Sequence, residues 1–299
     1  MIKQLFSKKT YSPLVSDTEL EKIFHSASKN PSTLQNPDDV EHILLGEQLS
    51  KFPGSGYEFA DNTRYMPGDD RRFINWRLYA RTGELYRKSF YEERRPQVWL
   101  ILDRRSSMRF GTRIHLKAAL AAQLAIYQLY SAHNLQLLTG SVLIDENLEW
   151  IQPARGNVAL TNMINKLRAP CPPLRYDNDT DTFTPILSHL LARLPTGCII
   201  VFYSDFSSMQ ERDRSLIHAL RNKHHIIAQH IIDRSEAILP PGRYSISNYA
   251  DTMSVDDQNP ALRDQLNQVM QKRLTEIKTW FENAGCRYQR YFADFELLH

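Results

Sequence analysis

The feature of this 299-residue chain that most restricts its fold is a series of short, continuously apolar runs in its second half. Examples are VWLILD (98–103), CIIVFYSD (198–205) and HIIAQHIID (225–233), and each is followed by a segment with apolar residues at helical spacing or by a loop that leads to one. A strand that is apolar on both faces is typical of a parallel sheet covered by helices. The order of strand, loop and helix therefore predicts an α/β fold.

The same pattern continues to the C-terminus. We predict strands over 98–103, 135–145, 198–205, 225–233 and 287–292. The helices that we predict between and after them cover 113–134, 158–167, 185–194, 212–222 and 262–285. Together these elements place an α/β domain over residues 97–299.

The first third of the chain has a different composition and spacing of apolar residues. Residues 17–28 and 38–46 each have an acidic start and helical spacing, which predicts a helical segment over 1–45. Residues 46–96 are rich in aromatic and basic residues and are interrupted by glycine and proline, which favours short strands and turns. We therefore predict a small β-rich subdomain in front of the α/β domain.

Composition restricts the compartment and the partners. The 37 Lys and Arg residues nearly balance the 34 Asp and Glu residues, so the net charge of +3 does not favour nucleic acid as a partner. The three cysteines are far apart, which is typical of a reducing compartment. No apolar stretch approaches the eighteen or so residues that a membrane-spanning helix needs. We therefore expect a cytoplasmic protein without a membrane span.

Two of the predicted strands end in an aspartate that leads into the same kind of serine-containing loop, at Asp103 and Asp205. In a doubly wound sheet the loops that follow the carboxyl ends of the strands converge on one crevice. The two carboxylates are therefore expected to face each other. Thr184, immediately before a predicted helix, is the best-placed hydroxyl between them in the sequence.

These residues resemble the metal-ion-dependent adhesion site of von Willebrand A domains, an Asp-x-Ser-x-Ser loop followed by a Thr and an Asp. The metal positions map to Asp103, Ser107, Thr184 and Asp205. Upstream, the segment RYMPGDDRRFINWRLYARTGELYRKSFYEERR (64–95) resembles the stretch that marks DUF58 proteins. The resemblance covers about residues 45–299, by a coarse judgement of the sequence.

This resemblance implies a three-layer, Rossmann-like α/β domain of the von Willebrand A type with a small β-rich N-terminal subdomain. It also implies association with MoxR-type AAA+ ATPases and with other von Willebrand A proteins, in a chaperone-like or assembly role. We therefore expect a non-enzymatic interaction module with no catalytic residue. Its expected partner-binding residues are Arg105 and Ser106.

One residue departs from the metal-site pattern, because Arg105 stands where the family pattern has a serine. A guanidinium about 4 Å from a divalent cation would cost roughly 8 kcal/mol at an effective dielectric constant near 20. Arg105 either turns outward and leaves a weakened Mg²⁺ site, or bridges the carboxylates in place of the ion. We favour the second, metal-free arrangement, so the expected cofactor is none or weakly held Mg²⁺.

Two alternatives remain open. One is a metal-dependent hydrolase that uses Asp103 and Asp205 to hold its metal. The other is a nucleic-acid adaptor that works through the basic segment 71–95, where Trp76 and Tyr79 could stack on bases. Acidic residues interrupt that segment, which favours internal pairing over nucleic-acid binding. The adjacent acids Asp69 and Asp70 are expected to be turn residues that pair with neighbouring arginines.

Overall fold

The computed structural model describes residues 12–29, 53–54, 58–66, 69–91, 96–145, 147–171, 182–240, 242, 244–247, 252–255 and 260–295. The chain divides into two compact units, one made of residues 1–31 and 98–299 and the other of residues 32–97. The predicted helix over 38–46 lies outside the described residues. We refer to the two units as the α/β unit and the small unit.

The described helices are α1 (Asp17–Lys29), α2 (Trp76–Thr82), α3 (Lys117–Asn134), α4 (Asn157–Leu167), α5 (Thr184–Arg193), α6 (Arg214–Lys223), α7 (Arg234–Ala237) and α8 (Pro260–Asn283). The described strands are β1 (Pro53–Gly54), β2 (Glu58–Arg64), β3 (Tyr86–Tyr91), β4 (Val98–Asp103), β5 (Thr139–Ile144), β6 (Leu148–Ala154), β7 (Ile199–Ser204), β8 (His225–Ile232), β9 (Tyr244–Ser247), β10 (Thr252–Val255) and β11 (Arg287–Phe292).

The α/β unit is built on a six-stranded sheet with the order β11-β8-β7-β4-β5-β6. The first four neighbouring pairs are parallel, and only β5 and β6 are antiparallel. A separate hairpin pairs β9 with β10. The predicted α/β fold, with a mostly parallel sheet flanked by helices, is confirmed.

The side chains of β4 point alternately to the two faces of the sheet, and helices cover both faces. Trp99 and Ile101 belong to a buried cluster that also contains residues of α5, α6 and α8. The intervening residues Leu100 and Leu102 are equally buried, because successive side chains point to opposite faces and α3 packs against the sheet. A strand buried on both faces must be apolar throughout, which explains why the apolar runs predicted the sheet correctly.

Helix α1 belongs to the α/β unit, whereas the sequence placed it in a separate segment over 1–45. Its contacts with α3 explain the grouping. The Phe24 and Tyr130 rings lie 5.0 Å apart, and the Gln123 side-chain amide donates to Glu19 at 2.9 Å.

Strand β6 is absent from our sequence-based prediction. It pairs with the sheet on one side only, its residues are alternately half-buried and exposed, and it contains Pro153. Proline is tolerated in an edge strand because one row of backbone groups has no ladder partner there. The apolar runs that identified the inner strands are therefore missing from this one.

The small unit contains an antiparallel sheet with the order β1-β3-β2. Its strands agree with the prediction of short strands and turns, but helix α2 was not predicted. Asn75 accepts a hydrogen bond from the Leu78 amide at the start of α2, and Gly83 ends the helix with φ of 74°. An Asn N-cap followed by a Gly in the left-handed region is the sequence signal that could have found this helix.

Candidate functional site

The carboxyl edge of the parallel sheet carries a row of aspartates. Because β11, β8, β7, β4 and β5 are parallel, their carboxyl ends lie at the same edge. Each of these strands ends in an aspartate or is followed within two residues by one, and in sheet order the five are Asp294, Asp233, Asp205, Asp103 and Asp145. The topology reverses between β4 and β7, which is where ligands bind in open α/β sheets. Asp103 and Asp205 lie on the two strands that flank this switch point.

Asp103 is fully buried and is held by Arg105. The Arg105 Nε donates to Oδ1 at 3.0 Å, and its Nη2 donates to Oδ2 at 2.8 Å, which makes a two-pronged ion pair. The Ser204 hydroxyl adds a bond to Oδ2 at 2.6 Å. On its other side Arg105 donates to the Ser208 hydroxyl at 2.9 Å and lies 5.3 Å from the centre of the Phe183 ring. The carboxylate is therefore neutralised by a residue of its own loop.

Asp205 is held by a second cation, Lys117, which is buried at the start of α3. The Lys117 Nζ donates to Asp205 Oδ2 at 2.8 Å and also to Glu236 Oε1. Burial alone would raise the pKa of Asp205, but the adjacent ammonium group outweighs burial and lowers this pKa to about 2. Asp205 is therefore an ionised carboxylate that is already paired inside the protein.

The backbone next to Asp205 has an unusual conformation. Phe206 has φ of 50°, in the left-handed region that non-glycine residues rarely adopt. Its ring is fully buried against Phe183, Phe202 and Phe281, and its amide donates to the Ser204 hydroxyl at 2.9 Å. Such a conformation costs on the order of 1–3 kcal/mol and persists only where the surroundings enforce it. The aromatic packing thus stabilises the sharp bend that follows Asp205.

The outer aspartates of the row are paired as well. Arg104 binds Asp145 through Nε and Nη2, and Nη2 of Arg109 lies 3.8 Å from the other oxygen of Asp145. On the opposite flank Asp294 contacts both Arg234 and Arg113. Four of the five aspartates of the row therefore contact a cation of the chain.

Asp233 connects two loops of this edge. Its carboxylate accepts from the Thr112 amide at 2.8 Å and from the Thr112 hydroxyl at 2.6 Å. It also caps α7, where its side chain accepts a hydrogen bond from the Ser235 amide and its own amide donates to the Glu236 carboxylate. These bonds anchor the loop over residues 110–116, which is not helical. Helix α3 begins at Lys117 and not at residue 113 as predicted.

Of the sequence-predicted metal residues, Asp103 and Asp205 bind Arg105 and Lys117. Thr184 donates its hydroxyl to Asp213 Oδ1, so this threonine is engaged by a different carboxylate. Ser107 and Ser106 are half-buried in a short 3-10 turn that follows Arg105. Among the described residues, no group of three or more His, Cys, Asp or Glu side chains is arranged to hold a metal ion.

Arg105 was expected either to turn outward or to bridge the two carboxylates. Arg105 pairs with Asp103, and Lys117 pairs with Asp205. Lys117 was missed by the sequence analysis, although a lysine at the head of the apolar helix segment is a signal that could have drawn attention to it. Arg105 was also predicted to contact a partner, yet its guanidinium is buried against Asp103 and only 5% exposed.

We expect calorimetry to detect no micromolar binding of Mg²⁺ or Mn²⁺ to the protein. An ion at Asp103 would have to displace the Arg105 guanidinium, and a cation close to that group is strongly repelled. Micromolar binding that the Asp103→Ala variant abolishes would contradict this prediction. The control is the Glu149→Ala variant, which removes an exposed carboxylate that pairs with Lys166 and not with Arg105 or Lys117.

Exposed apolar residues lie in the loop between β4 and α3, at the same edge. Phe110, Ile114 and Leu116 are 44%, 54% and 41% exposed. We call these three residues the apolar rim. The Thr112 bonds to Asp233 and the backbone bond from the Lys117 amide to the Phe110 carbonyl hold this loop in place. A fixed loop with exposed apolar side chains is suited to binding another protein.

In the small unit the adjacent acids Asp69 and Asp70 each form an ion pair with an arginine. Asp70 binds Arg72, with Nη2 at 2.6 Å from Oδ2, and Asp69 binds Arg87 at 2.8 Å. Asp70 also caps the turn that starts at Arg71. Residues 92–95 of the basic segment 71–95 lie outside the described residues.

Comparisons with solved structures give distant matches. An aerotolerance-related membrane protein of Bacteroides fragilis matches with 12% identity, a TM-score of 0.42, and coverage of 66% of this chain and 91% of that protein. The conserved hypothetical protein BatB of Bacteroides thetaiotaomicron matches with 11% identity, a TM-score of 0.42, and coverage of 67% and 91%. A membrane spanning protein of Vibrio fischeri matches with 12% identity, a TM-score of 0.23, and coverage of 65% and 90%.

These matches correct our expectation about location. The expected cytoplasmic location is contradicted, because proteins described as membrane proteins are among the structural matches. We therefore no longer assign the chain to the cytoplasm. Within the described part of the chain, no helix combines the length and the apolar character that crossing a bilayer requires.

Sequence comparisons identify the family. Uncharacterized proteins of Mycobacterium tuberculosis and Mycobacterium bovis are each 26% identical over 252 residues, which is 82% of this chain and 78% of each relative. The family described as protein of unknown function DUF58 matches residues 61–276. The match spans both the paired acids of the small unit and most of the sheet with its row of aspartates. The chain therefore belongs to the DUF58 family.

Proposed function

We propose that this protein is a non-enzymatic recognition module of the von Willebrand A type, which binds a MoxR-type AAA+ ATPase through the carboxyl edge of its sheet. In this role it supports assembly or chaperone-like work, together with other von Willebrand A proteins. The MoxR-type ATPase is proposed as the partner because the sequence resembles DUF58 proteins. The contacts at the carboxyl edge support a role in recognition.

A single observation carries the proposal: both carboxylates at the switch point are neutralised by the chain's own cations. Asp103 is paired with Arg105 and Asp205 with Lys117, and all four side chains are at least 95% buried. Buried, hydrogen-bonded ion pairs hold their elements in one arrangement. The loops that carry the apolar rim are thereby held in a defined position.

The hydrolase alternative requires these two carboxylates to hold a metal. To do so they would have to release Arg105 and Lys117, which would leave two cations buried beside the incoming ion. The cost of an unpaired buried charge is about 3–5 kcal/mol. The observed pairing therefore favours recognition over metal-dependent hydrolysis.

The experiment is a titration of this protein with the purified MoxR-type ATPase of the same organism, in the ATP-bound and ADP-bound states. We expect a complex that Phe110→Asp and Ile114→Asp each weaken by at least 10-fold, because each buries a carboxylate without a partner at the contact. The control is Val158→Asp, since Val158 is 76% exposed on α4 and lies outside the apolar rim.

Three results would contradict the proposal. The first is that no complex forms in either nucleotide state. The second is hydrolysis of a phosphate ester by the wild-type protein that Asp103→Asn abolishes, which would support the metal-dependent alternative. The third concerns the control variant. Binding that Val158→Asp weakens as much as Phe110→Asp does would show that the carboxyl edge is not the binding surface.

A further inference from the structure

Helix α2 of the small unit presents an unusual set of exposed side chains. Trp76 is 62% exposed and Tyr79 is 42% exposed, and their rings meet edge to face at 6.2 Å. Large aromatic side chains are normally buried or bound, since exposure of their apolar surface to water is unfavourable. This aromatic pair lies in the small unit, whereas the carboxyl edge of the sheet belongs to the α/β unit.

Exposed arginines accompany the aromatic pair. Arg77 and Arg81 lie on α2, and Arg71 lies in the turn just before it. All three are exposed and make no ion pair with a described residue. By contrast, Arg72 and Arg87 of the same unit are paired with Asp70 and Asp69. Among the residues that the structure describes, the predicted internal pairing is therefore seen for Arg72 and Arg87 but not for these three.

The helix geometry spreads these groups to both sides of Trp76. With about 100° per residue, Tyr79 lies roughly 60° from Trp76 on one flank, and Arg77 and Arg81 lie roughly 100° and 140° away on the other. Leu78, which is half-buried, lies roughly 160° from Trp76. We call the surface formed by Trp76, Tyr79, Arg77 and Arg81 the α2 face.

The α2 face is held in place before any partner binds. Ile74, just before the helix, is buried and bridges to Arg87 of β3. The Asn75 side chain donates to the Asn62 side chain at 2.8 Å and also caps the helix. A binding surface whose backbone is already ordered loses less entropy when it binds.

Trp, Tyr and Arg are the residues most enriched at the points that dominate the energy of protein interfaces. We propose that the α2 face binds an acidic protein surface of the ATPase partner, with Trp76 in an apolar pocket and Arg77 and Arg81 paired to carboxylates around that pocket. This inference rests on the proposed function and adds a second contact to it, on the other unit of the chain.

The charge balance favours a protein partner over a lipid surface or a nucleic acid. Residues 58–91 contain seven basic and five acidic side chains, a net charge of +2. Binding to an anionic membrane or to a phosphate backbone relies on several uncompensated cations acting together. The exposed acids Asp70 and Glu84 would oppose both. A protein surface can pair individual arginines and avoid those acids.

The test uses the full chain and the purified ATPase, with the dissociation constant measured by calorimetry. We expect Trp76→Ala to raise the dissociation constant by about 30-fold or more, as loss of a dominant interface residue does. We expect Arg77→Glu and Arg81→Glu to weaken binding more at low salt than at high salt. Matched controls are Val269→Ala, which removes apolar surface that is 65% exposed on α8, and Arg155→Glu, which reverses another exposed arginine.

A complex that forms normally and that Trp76→Ala and both arginine reversals leave unchanged overturns this inference alone. The absence of any complex overturns the proposed function and this inference with it. Binding to phosphatidylglycerol vesicles or to single-stranded RNA that Trp76→Ala abolishes, while ATPase binding is unchanged, assigns the α2 face to another class of partner and also overturns the inference.

Discussion

The Lys117→Met variant is expected to lose about 3–5 kcal/mol of unfolding free energy, the usual cost of removing one partner from a buried ion pair. Lys117 is fully buried and donates to both Asp205 and Glu236. Methionine keeps most of the length of the side chain but removes its charge, so the Asp205 carboxylate is left in a water-poor site without a counter-ion. Urea unfolding at pH 7 measures the loss.

The matched control is Lys166→Met. Lys166 contacts Glu149 at 2.7 Å, a distance similar to that between Lys117 and Asp205, but both side chains of this pair are about half exposed. Exposed pairs contribute about 0–1 kcal/mol, so this control should change stability little. A loss of similar size in the two variants would show that burial of the Lys117 pair has no special role.

The pH dependence distinguishes lost charge pairing from lost packing. In the wild-type protein the pKa of Asp205 is lowered from 3.8 to about 2, so its contribution to stability is present above about pH 4 and is lost as the pH falls towards 2. Without Lys117, burial raises the pKa of Asp205, and protonation then relieves the unpaired charge. The stability deficit of Lys117→Met should therefore shrink between pH 7 and pH 4. A deficit that is constant over this range would point to packing.

The Arg105→Met variant is expected to show a second large loss, again about 3–5 kcal/mol. It leaves Asp103, which is 0% exposed, with hydrogen bonds from the Ser204 hydroxyl and the residue 105 amide but without a cation. Adding Asp103→Asn to this variant should recover part of the loss, because the amide carries no charge to compensate. Urea unfolding of the four members of this double-mutant cycle gives the coupling energy.

Arg214→Met is the control for this cycle, since Arg214 contacts Glu211 at 3.2 Å on the surface. A loss below about 1 kcal/mol in Arg105→Met would contradict the buried bridge, because that is the size expected for an arginine that points into solvent. If the same variant also bound Mg²⁺, the outward-facing arrangement with a weakened metal site would become the better description.

The two buried ion pairs, Arg105 with Asp103 and Lys117 with Asp205, neutralise the carboxylates at the carboxyl edge. The metal-site pattern that the sequence resembles would hold an ion at this edge, but here two protein cations pair with the carboxylates at the switch point. A cation that belongs to the chain cannot diffuse away from these carboxylates as a bound ion can. The surfaces that we propose to contact a partner, the apolar rim and the α2 face, both carry exposed side chains.

Much of the fold followed from local pattern. The inner strands were identified because a strand covered on both faces has to be apolar throughout, as VWLILD is. The edge strand Leu148–Ala154 and helix Trp76–Thr82 were missed, because a half-exposed element needs no such run and its residues resemble those of loops. The caps Asn75 and Gly83 are local signals that were present but not used.

The sequence by itself determined that Asp103 and Asp205 meet at one edge, because parallel strands bring their carboxyl ends together whatever the details of packing. Only the tertiary structure decided which groups neutralise them. Arg105 is two residues from Asp103, but Lys117 lies 88 residues before Asp205, and Thr184 pairs with Asp213, 29 residues later. Partners so far apart in sequence are chosen by the packing of helices on the sheet, which no local pattern encodes.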